Sequence, residues 1–420
     1  MMKYLIYAMC FLFLIGCEEK NAENDSQLSK QLEESSRQLE ENTPIEIELW
    51  SHFGNWETAI ERFQEANPNI KVNVNVLPYE SYEDLYLKAL TEEKGPDILV
   101  FESNHFANFT SIDGLENLAD APYQLDNYKR FYSNSVWEIG ESFNGEKMIG
   151  VPIYSYPMVT FYRSDILKEY GFPSEPDELG EFIEDQQNWL EIARTLNKDH
   201  RSSILWEMEP ISIYNTTSSM FGENLEFLRD SEDFYQAITL AKIVNEESLS
   251  PNINIWSKEG LAALKDDRIA MIYLGSWAAN QIQRWAPEQE GKWRVTRLPF
   301  NQYGWSNASI MSIPSNSQHK EAAWKFIEFY NFSEKDSIPS FDITQENPYF
   351  GNQKDQLLYQ ELSNQIPDIN LTPLDEEANS IWYESIGYGL QNELSVNEIM
   401  SLFQENLEKQ LGRDIEMLKK

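Results

Sequence analysis

Residues 45–76 read IEIELWSHFGNWETAIERFQEANPNIKVNVNV, two alternating apolar/polar runs around a stretch with helical spacing. Residues 45–50 alternate as a half-buried strand does, and Ile70, Val72, Val74 and Val76 repeat the pattern. Between them Ala59, Ile60 and Phe63 share a helical face that Asn67-Pro68 stops. A second helical stretch, 81–94, leads to PDILVF at 96–101, a mostly apolar third strand. This βαβαβ order predicts a largely parallel sheet covered by helices, with ligands beyond the carboxyl ends of its strands. Trp50 and Phe101-Glu102 lie at those ends.

The alternation resumes farther along. Helical patterns are expected at 188–197, 232–247 and 257–265, with a strand at 203–206 among them. Residues 268–274 read as a buried strand broken by Gly275-Ser276, with a helix from Trp277 to Trp285 ended by Pro287. Strands are then expected at 293–298 and 309–313, an amphipathic helix at 319–331, and mainly helix to the end. No internal repeat is visible. At 420 residues the chain exceeds what one hydrophobic core serves, so at least two lobes are expected.

The first residues, MMKYLIYAMCFLFLIGC, pair one lysine with an apolar run too short to span a bilayer comfortably, the shape of a signal peptide. Its close, Leu14-Ile15-Gly16-Cys17, resembles the bacterial lipobox, which implies a signal over 1–16 and a lipid on Cys17 that anchors the mature chain to the membrane. Residues 17–43 are polar and acidic, a solvated tether. Cys17 would then be the sole mature cysteine, which excludes an internal disulfide and a thiolate metal cluster. The net charge is −37, from 70 acidic and 33 basic residues, and such a field repels phosphate backbones, so no nucleic-acid partner is expected.

Seven segments, in order, resemble the family 1 extracellular solute-binding proteins of ABC importers. They are the strand ending in Trp50, FQEANPNIKV at 63–72, GPDI at 95–98, GEKMIGVP at 145–152, FYRSD at 161–165, Ala270-Met271 followed by Gly275-Ser276-Trp277, and AAWKFI at 322–327. The resemblance implies a two-lobed periplasmic-binding-protein-like α/β fold, each lobe a mixed, mainly parallel sheet flanked by helices, with a hinge between lobes. It places an N-terminal lobe at 44–153 plus 296–330 and a C-terminal lobe at 154–295 plus 331–420. Crossings are expected near 151–153, 294–298 and 329–332. The implied ligand is a sugar or oligosaccharide, the implied partners are ABC permease subunits, and the ATPase is a separate protein, since no G-x-x-x-x-G-K-[ST] loop occurs. A monomer without cofactor or metal is expected.

A pyranose offers an apolar face and a rim of hydroxyls, so aromatic plates and polar rim groups are the residues to seek. Trp277 comes first, because the matching Gly-Ser-Trp segment carries a ligand-facing aromatic in the family. Trp305 stands in a polar, glycine-containing loop between strands, where a large aromatic has little local reason to be. Asn307 shares that loop. Trp50, Glu102, Asn104, Tyr154, Tyr156 and Trp206 are candidates by strand-end or hinge position, while Trp285 and Trp324 fall at helical spacings that suit packing.

A lipid-anchored glycoside hydrolase would need two carboxylates about the scissile bond, and nothing singles out a pair among the 70 acids. Gly304-Trp305-Ser306-Asn307-Ala308 falls one residue short of the G-x-S-x-G elbow. A surface adhesin or scaffold would differ only in partners, and a receptor for a non-sugar polar solute only in its ligand. His52, His105, His200 and His319 show no metal-ligand spacing. The basic set Arg284, Lys292, Arg294 and Arg297 reads as solvated surface, or else as a receiver for a uronate.

Overall fold

The computed structural model describes residues 44–92, 95–332 and 343–419. The signal, the tether and Cys17 lie outside the described residues. In the first lobe β1 (Ile45–Ser51), α1 (Glu57–Ala66), β2 (Ile70–Val76), α2 (Tyr82–Thr91) and β3 (Ile98–Glu102) alternate, and α3 (Ser103–Phe106) follows at once. Strands β2 and β3 both pair with β1 in parallel. Along β3 the side chains divide between two cores: Ile98 and Val100 join Ile47, Leu49 and Phe63 on one face, and Leu99 and Phe101 join Tyr82 and Phe106 on the other. A strand buried on both faces loses the polar alternation of β1, which is why this run reads as continuously apolar.

The second lobe grows from β4 (Val151–Arg163), whose 13 residues serve both lobes. Helices α4 (Gln186–Asn197), α5 (Glu209–Asn215), α6 (Glu232–Glu246) and α7 (Lys258–Lys265) follow, then β5 (Met271–Gly275), α8 (Ala278–Trp285), β6 (Trp293–Thr296), β7 (Trp305–Ser312), α9 (Lys320–Phe332), α10 (Asp355–Ser363), α11 (Asp375–Gln391) and α12 (Val396–Leu418). Asp185 caps α4 by accepting from the Gln187 amide at 2.7 Å, and Ser395 with Glu398 closes a reciprocal capping box on α12. The strand expected at 203–206 is reduced to one parallel bridge, Ser202 to Ile269. There the Glu209 carboxylate takes the Leu205 amide at 3.1 Å and turns the chain into α5 instead.

Residues Val151 to Pro157 of β4 pair antiparallel with β7, and Met158 to Arg163 pair antiparallel with β5 and β6. The sheets are thus mixed, but the parallel share is confined to β1–β3, because the strands that link the lobes run against their neighbours. The first change of partner falls between Pro157 and Met158, past the 151–153 expected. The second lies between the end of β6 at Thr296 and the start of β7 at Trp305. Helix α9 runs to Phe332 and buries Phe326 and Ile327 in the first lobe, while Tyr349 and Phe350 are buried in a second-lobe core, so the third change of lobe follows the end of α9.

One loop fastens both lobes. Residues 364–372 join α10 to α11, whose buried side chains belong to second-lobe cores, yet Ile369 is buried in a first-lobe core with Ile366 and Leu371 beside it. Asn370 holds the loop to the second lobe, its amide donating to Ser219 Oγ at 2.7 Å and its Nδ2 to the Phe221 carbonyl at 3.1 Å. No helix among the described residues is long and apolar enough to cross a membrane.

Candidate functional site

A cavity of about 790 Å³ opens between the lobes. Asn104 and His105 of α3 line it from the first lobe, Met158, Trp305 and Ser306 from the linking strands, and Asn215, Arg229, Asp375, Asn379 and Tyr383 from the second. The loop at Ile369–Asn370–Leu371 separates it from a second interlobe cavity of about 1160 Å³, which it also lines.

A bulge sets the aromatic geometry. Tyr156 pairs with Asn307 but Pro157 pairs with Trp305, so Ser306 is the extra residue in β7. Trp305, the first residue of β7 rather than part of a loop, is thereby turned onto the face of Ala308 and Ile310, where it is 6% exposed and donates Nε1–H to Ser155 Oγ at 3.1 Å. Ser306 Oγ accepts from Trp277 Nε1 at 3.1 Å across the lobe boundary. A Cβ at Gly275 would collide with both Trp277 Nε1 and Ser306 Oγ, so glycine is what lets the indole fold back over the strand.

Glu102, Ser309 and Tyr154 stand opposite one another across β3, β7 and β4, and Asn307 and Tyr156 continue the same face. Glu102 is 5% exposed and its Oε2 has no hydrogen-bond partner. Burial raises its carboxyl above the usual range, against the pull of His105, the Asn104 amide and Asn307. His105 Nδ1 lies 2.6 Å from Glu83 Oε2, a pairing that raises the imidazole and lowers the carboxyl.

Arg229 is 5% exposed. Its guanidinium donates to Asn379 Oδ1 at 2.9 Å and to the carbonyls of Asn215 and Ser218 at 3.3 and 3.2 Å, while Nε is without a partner. Burial pulls it down to about 10, still a cation at neutral pH. Burial pushes Asp375 up to about 6 although Thr372 donates to it twice and Arg229 stands nearby. The wall is therefore a set of donors and acceptors held by their own network, suited to hydroxyl groups.

Of the residues expected from sequence, Asn104 and Trp305 line the cavity, Trp277 adjoins it through Ser306, and Trp206 packs 5.6 Å from Tyr383. Glu102, Asn307 and Tyr156 share the neighbouring sheet face, with Tyr156 stacked 5.8 Å from Tyr154. Trp50 is not brought to the cavity: its ring lies over α2, 6.3 Å from Tyr86, and bonds Glu48 at 3.3 Å. Tyr154 turns its hydroxyl to Tyr330 at 2.6 Å, against a first-lobe core. Trp324 is buried in that core, and Trp285 packs against a second-lobe core.

Sequence reading missed Arg229, Asn215 and the polar stripe of α11. Asp375, Asn379 and Tyr383 recur every four residues along the edge of the face that buries Ala378, Ile381 and Trp382, a pattern that i, i+4 counting would have found. The basic set does not reach the cavity. Arg284 donates to Gln281, Arg294 to the Gly291 and Trp293 carbonyls, and Arg297 to Glu184 at 2.6 Å. Lys292 does not line the cavity either, so none of the four residues on which a uronate reading rested faces it.

Glu209 fixes the turn that carries Trp206 and begins α5. Burial pushes its carboxyl up to about 7, against the amides of Leu205 and Trp206. The unfolded chain releases this proton near pH ~4.3 and the folded chain keeps it until about 7, so the stability it contributes is whole at acid pH and is lost as pH rises through 7. Glu209→Gln, which cannot ionise, should flatten the fall in melting temperature between acid and mildly alkaline buffer by a few degrees. An unchanged slope would mean that Glu209 titrates alike in the folded and unfolded chain.

Solved structures share this architecture. A transporter-associated binding protein of B. animalis subsp. lactis in complex with β-1,6-galactobiose aligns over 87% of this chain and 97% of its own, with TM-score 0.68 and 18% identity. The galacto-N-biose-/lacto-N-biose I-binding protein of Bifidobacterium longum, in complex with lacto-N-biose, aligns over 88% and 98%, with TM-score 0.71 and 15% identity. An ABC substrate-binding protein of Listeria monocytogenes in complex with cycloalternan aligns over 88% and 99%, with TM-score 0.68 and 18% identity. Residues 51–335, more than half of the chain and spanning both lobes, match the profile of the bacterial extracellular solute-binding proteins, and the chain belongs to that family.

Proposed function

We propose that this protein is the carbohydrate receptor of an ABC importer, tethered by a lipid on Cys17, acting as a monomer and presenting a closed, ligand-loaded form to the permease. The observation that carries the reading is the interlobe cavity itself, where the Trp305 indole and the Tyr383 ring stand among Asn104, Asn215, Asn379 and the buried Arg229. Aromatic surface suits the C–H face of a sugar and the fixed polar groups suit its hydroxyl rim. Solved relatives in complex with galactobiose, lacto-N-biose and cycloalternan support the same class of ligand. The lobes are linked at Pro157–Met158, within 297–304 and again between Phe332 and Tyr349, and the first two are short links able to absorb a hinge rotation. A ligand would favour closure only as far as it binds the closed form better.

Intrinsic fluorescence and thermal shift of the chain lacking residues 1–17, titrated with mono- and oligosaccharides, test this. A saturable response with the sugar intact by chromatography supports a receptor. Consumption of the sugar would put the glycoside hydrolase first, and silence would favour a non-sugar solute. Neutral sugars should bind at least tenfold more tightly than their uronates, because Asp375, Glu376 and Glu384 line the cavity and its arginine is already engaged by acceptors. Equal affinity for both would show that these carboxylates do not face the ligand.

A further inference from the structure

Trp256 is a large apolar side chain held out in solvent, 52% exposed. It precedes α7 in a short loop that is tied down at two points. The Ile253 amide donates to the Leu205 carbonyl at 2.9 Å, joining the loop to the turn of Trp206, and the Trp256 amide donates to Asn254 Oδ1 at 2.9 Å. Its ring lies over Trp277, centroids 5.8 Å apart and planes inclined by 22°, while Trp285 meets it edge to face at 5.0 Å and 72°. Trp277 is in turn fixed by Ser306 and folded onto Gly275. Two rings and a pinned loop thus orient an indole that buries barely half of itself. Exposed aromatic surface has a hydration cost that such anchoring does not relieve, so the arrangement suits a surface meant to be covered by a ligand.

We infer that Trp256, laid over Trp277, is the sugar-facing plate at the rim of the second lobe, and that the ligand is an oligosaccharide reaching from the Arg229 cavity out to that plate. The length follows from position: the cavity is lined by Trp305 and Arg229 but by neither Trp256 nor Trp277, so a ligand that touches both regions extends past the enclosed part. Trp277 then acts chiefly as the support beneath the plate. The inference rests on the carbohydrate reading above.

The test uses the chain lacking residues 1–17 with Trp256→Ala and Trp256→Phe, titrated with neutral gluco-, galacto-, manno- and xylo-saccharides from monomer to hexamer. Wild-type affinity should rise with length. Trp256→Ala should lower affinity for the longer members roughly tenfold and leave the monosaccharide unchanged, and Trp256→Phe should keep most of it. Acrylamide quenching of wild-type emission should fall when a longer member binds, and the variants should melt with wild type because the ring is half exposed. If Trp256→Ala binds every length as wild type does, or loses the monosaccharide equally, the plate is refuted and the sugar receptor stands. If no member of any series binds the wild type, the carbohydrate reading fails and this inference with it.

Discussion

Arg163→Met should lower the stability of the protein by about 3 kcal/mol and its melting temperature by roughly 4 °C. Arg163 ends β4 with its side chain 1% exposed. Its Nε and NH2 reach both carboxylate oxygens of Asp165 at 2.8 Å, its NH1 reaches Asp267, and its guanidinium lies 6.0 Å over the Trp293 ring. One side chain therefore ties the end of the linking strand, the turn before β5 and the start of β6. Methionine restores much of the volume but none of the donors, and the planar fork cannot be replaced by a point charge. Asp165 and Asp267 are each nearly half exposed and can rehydrate, which keeps the expected loss at the lower end for a broken buried ion pair. Thermal and urea melts would measure it. A loss under ~1 kcal/mol would class the triad with ordinary surface pairs.

The largest effect on binding is expected at Arg229. Replacing it with methionine should weaken sugar affinity by roughly a hundredfold, the scale of a charge-assisted hydrogen bond together with a neighbour left unpaired. Its donors organise Asn379 and the carbonyls of Asn215 and Ser218, all on the cavity wall, and its charge stands near the half-buried Asp375. With the cation gone, Asp375 should hold its proton to still higher pH, so the variant's residual binding should shift with pH where that of wild type does not. Calorimetry at two pH values, beside a melting curve that shows the variant folded, separates this from unfolding. Affinity within threefold of wild type, by the same ~1.4 kcal/mol-per-decade scale, would place Arg229 outside the ligand's reach.

The βαβαβ start of the first lobe was legible because its signals are local. The alternation in 45–50 and 70–76, and the stops at Asn67-Pro68, depend on residues a few positions apart, and β1–β3 fall where they were read. The second lobe was less legible for an equally physical reason. Residues 203–206 have strand composition, but a carboxylate four residues beyond Leu205 captures the backbone that a strand would have used.

What the sequence by itself determined was the family, the two-lobed α/β class and the acidic balance of the chain, and it named Asn104 and Trp305, which the fold brings to the cavity wall. The tertiary structure alone decided which aromatic meets which. A one-residue bulge at Ser306 reverses the face on which Trp305 lies, and no count of apolar spacing registers a bulge. Arg229, Asn379 and Tyr383 are far from Asn104 in the chain and meet it only across the lobe boundary. Their meeting depends on the packing of α11 and on a loop at 364–372 that buries Ile369 in the opposite lobe, contacts whose energy comes from burial between distant segments rather than from local pattern.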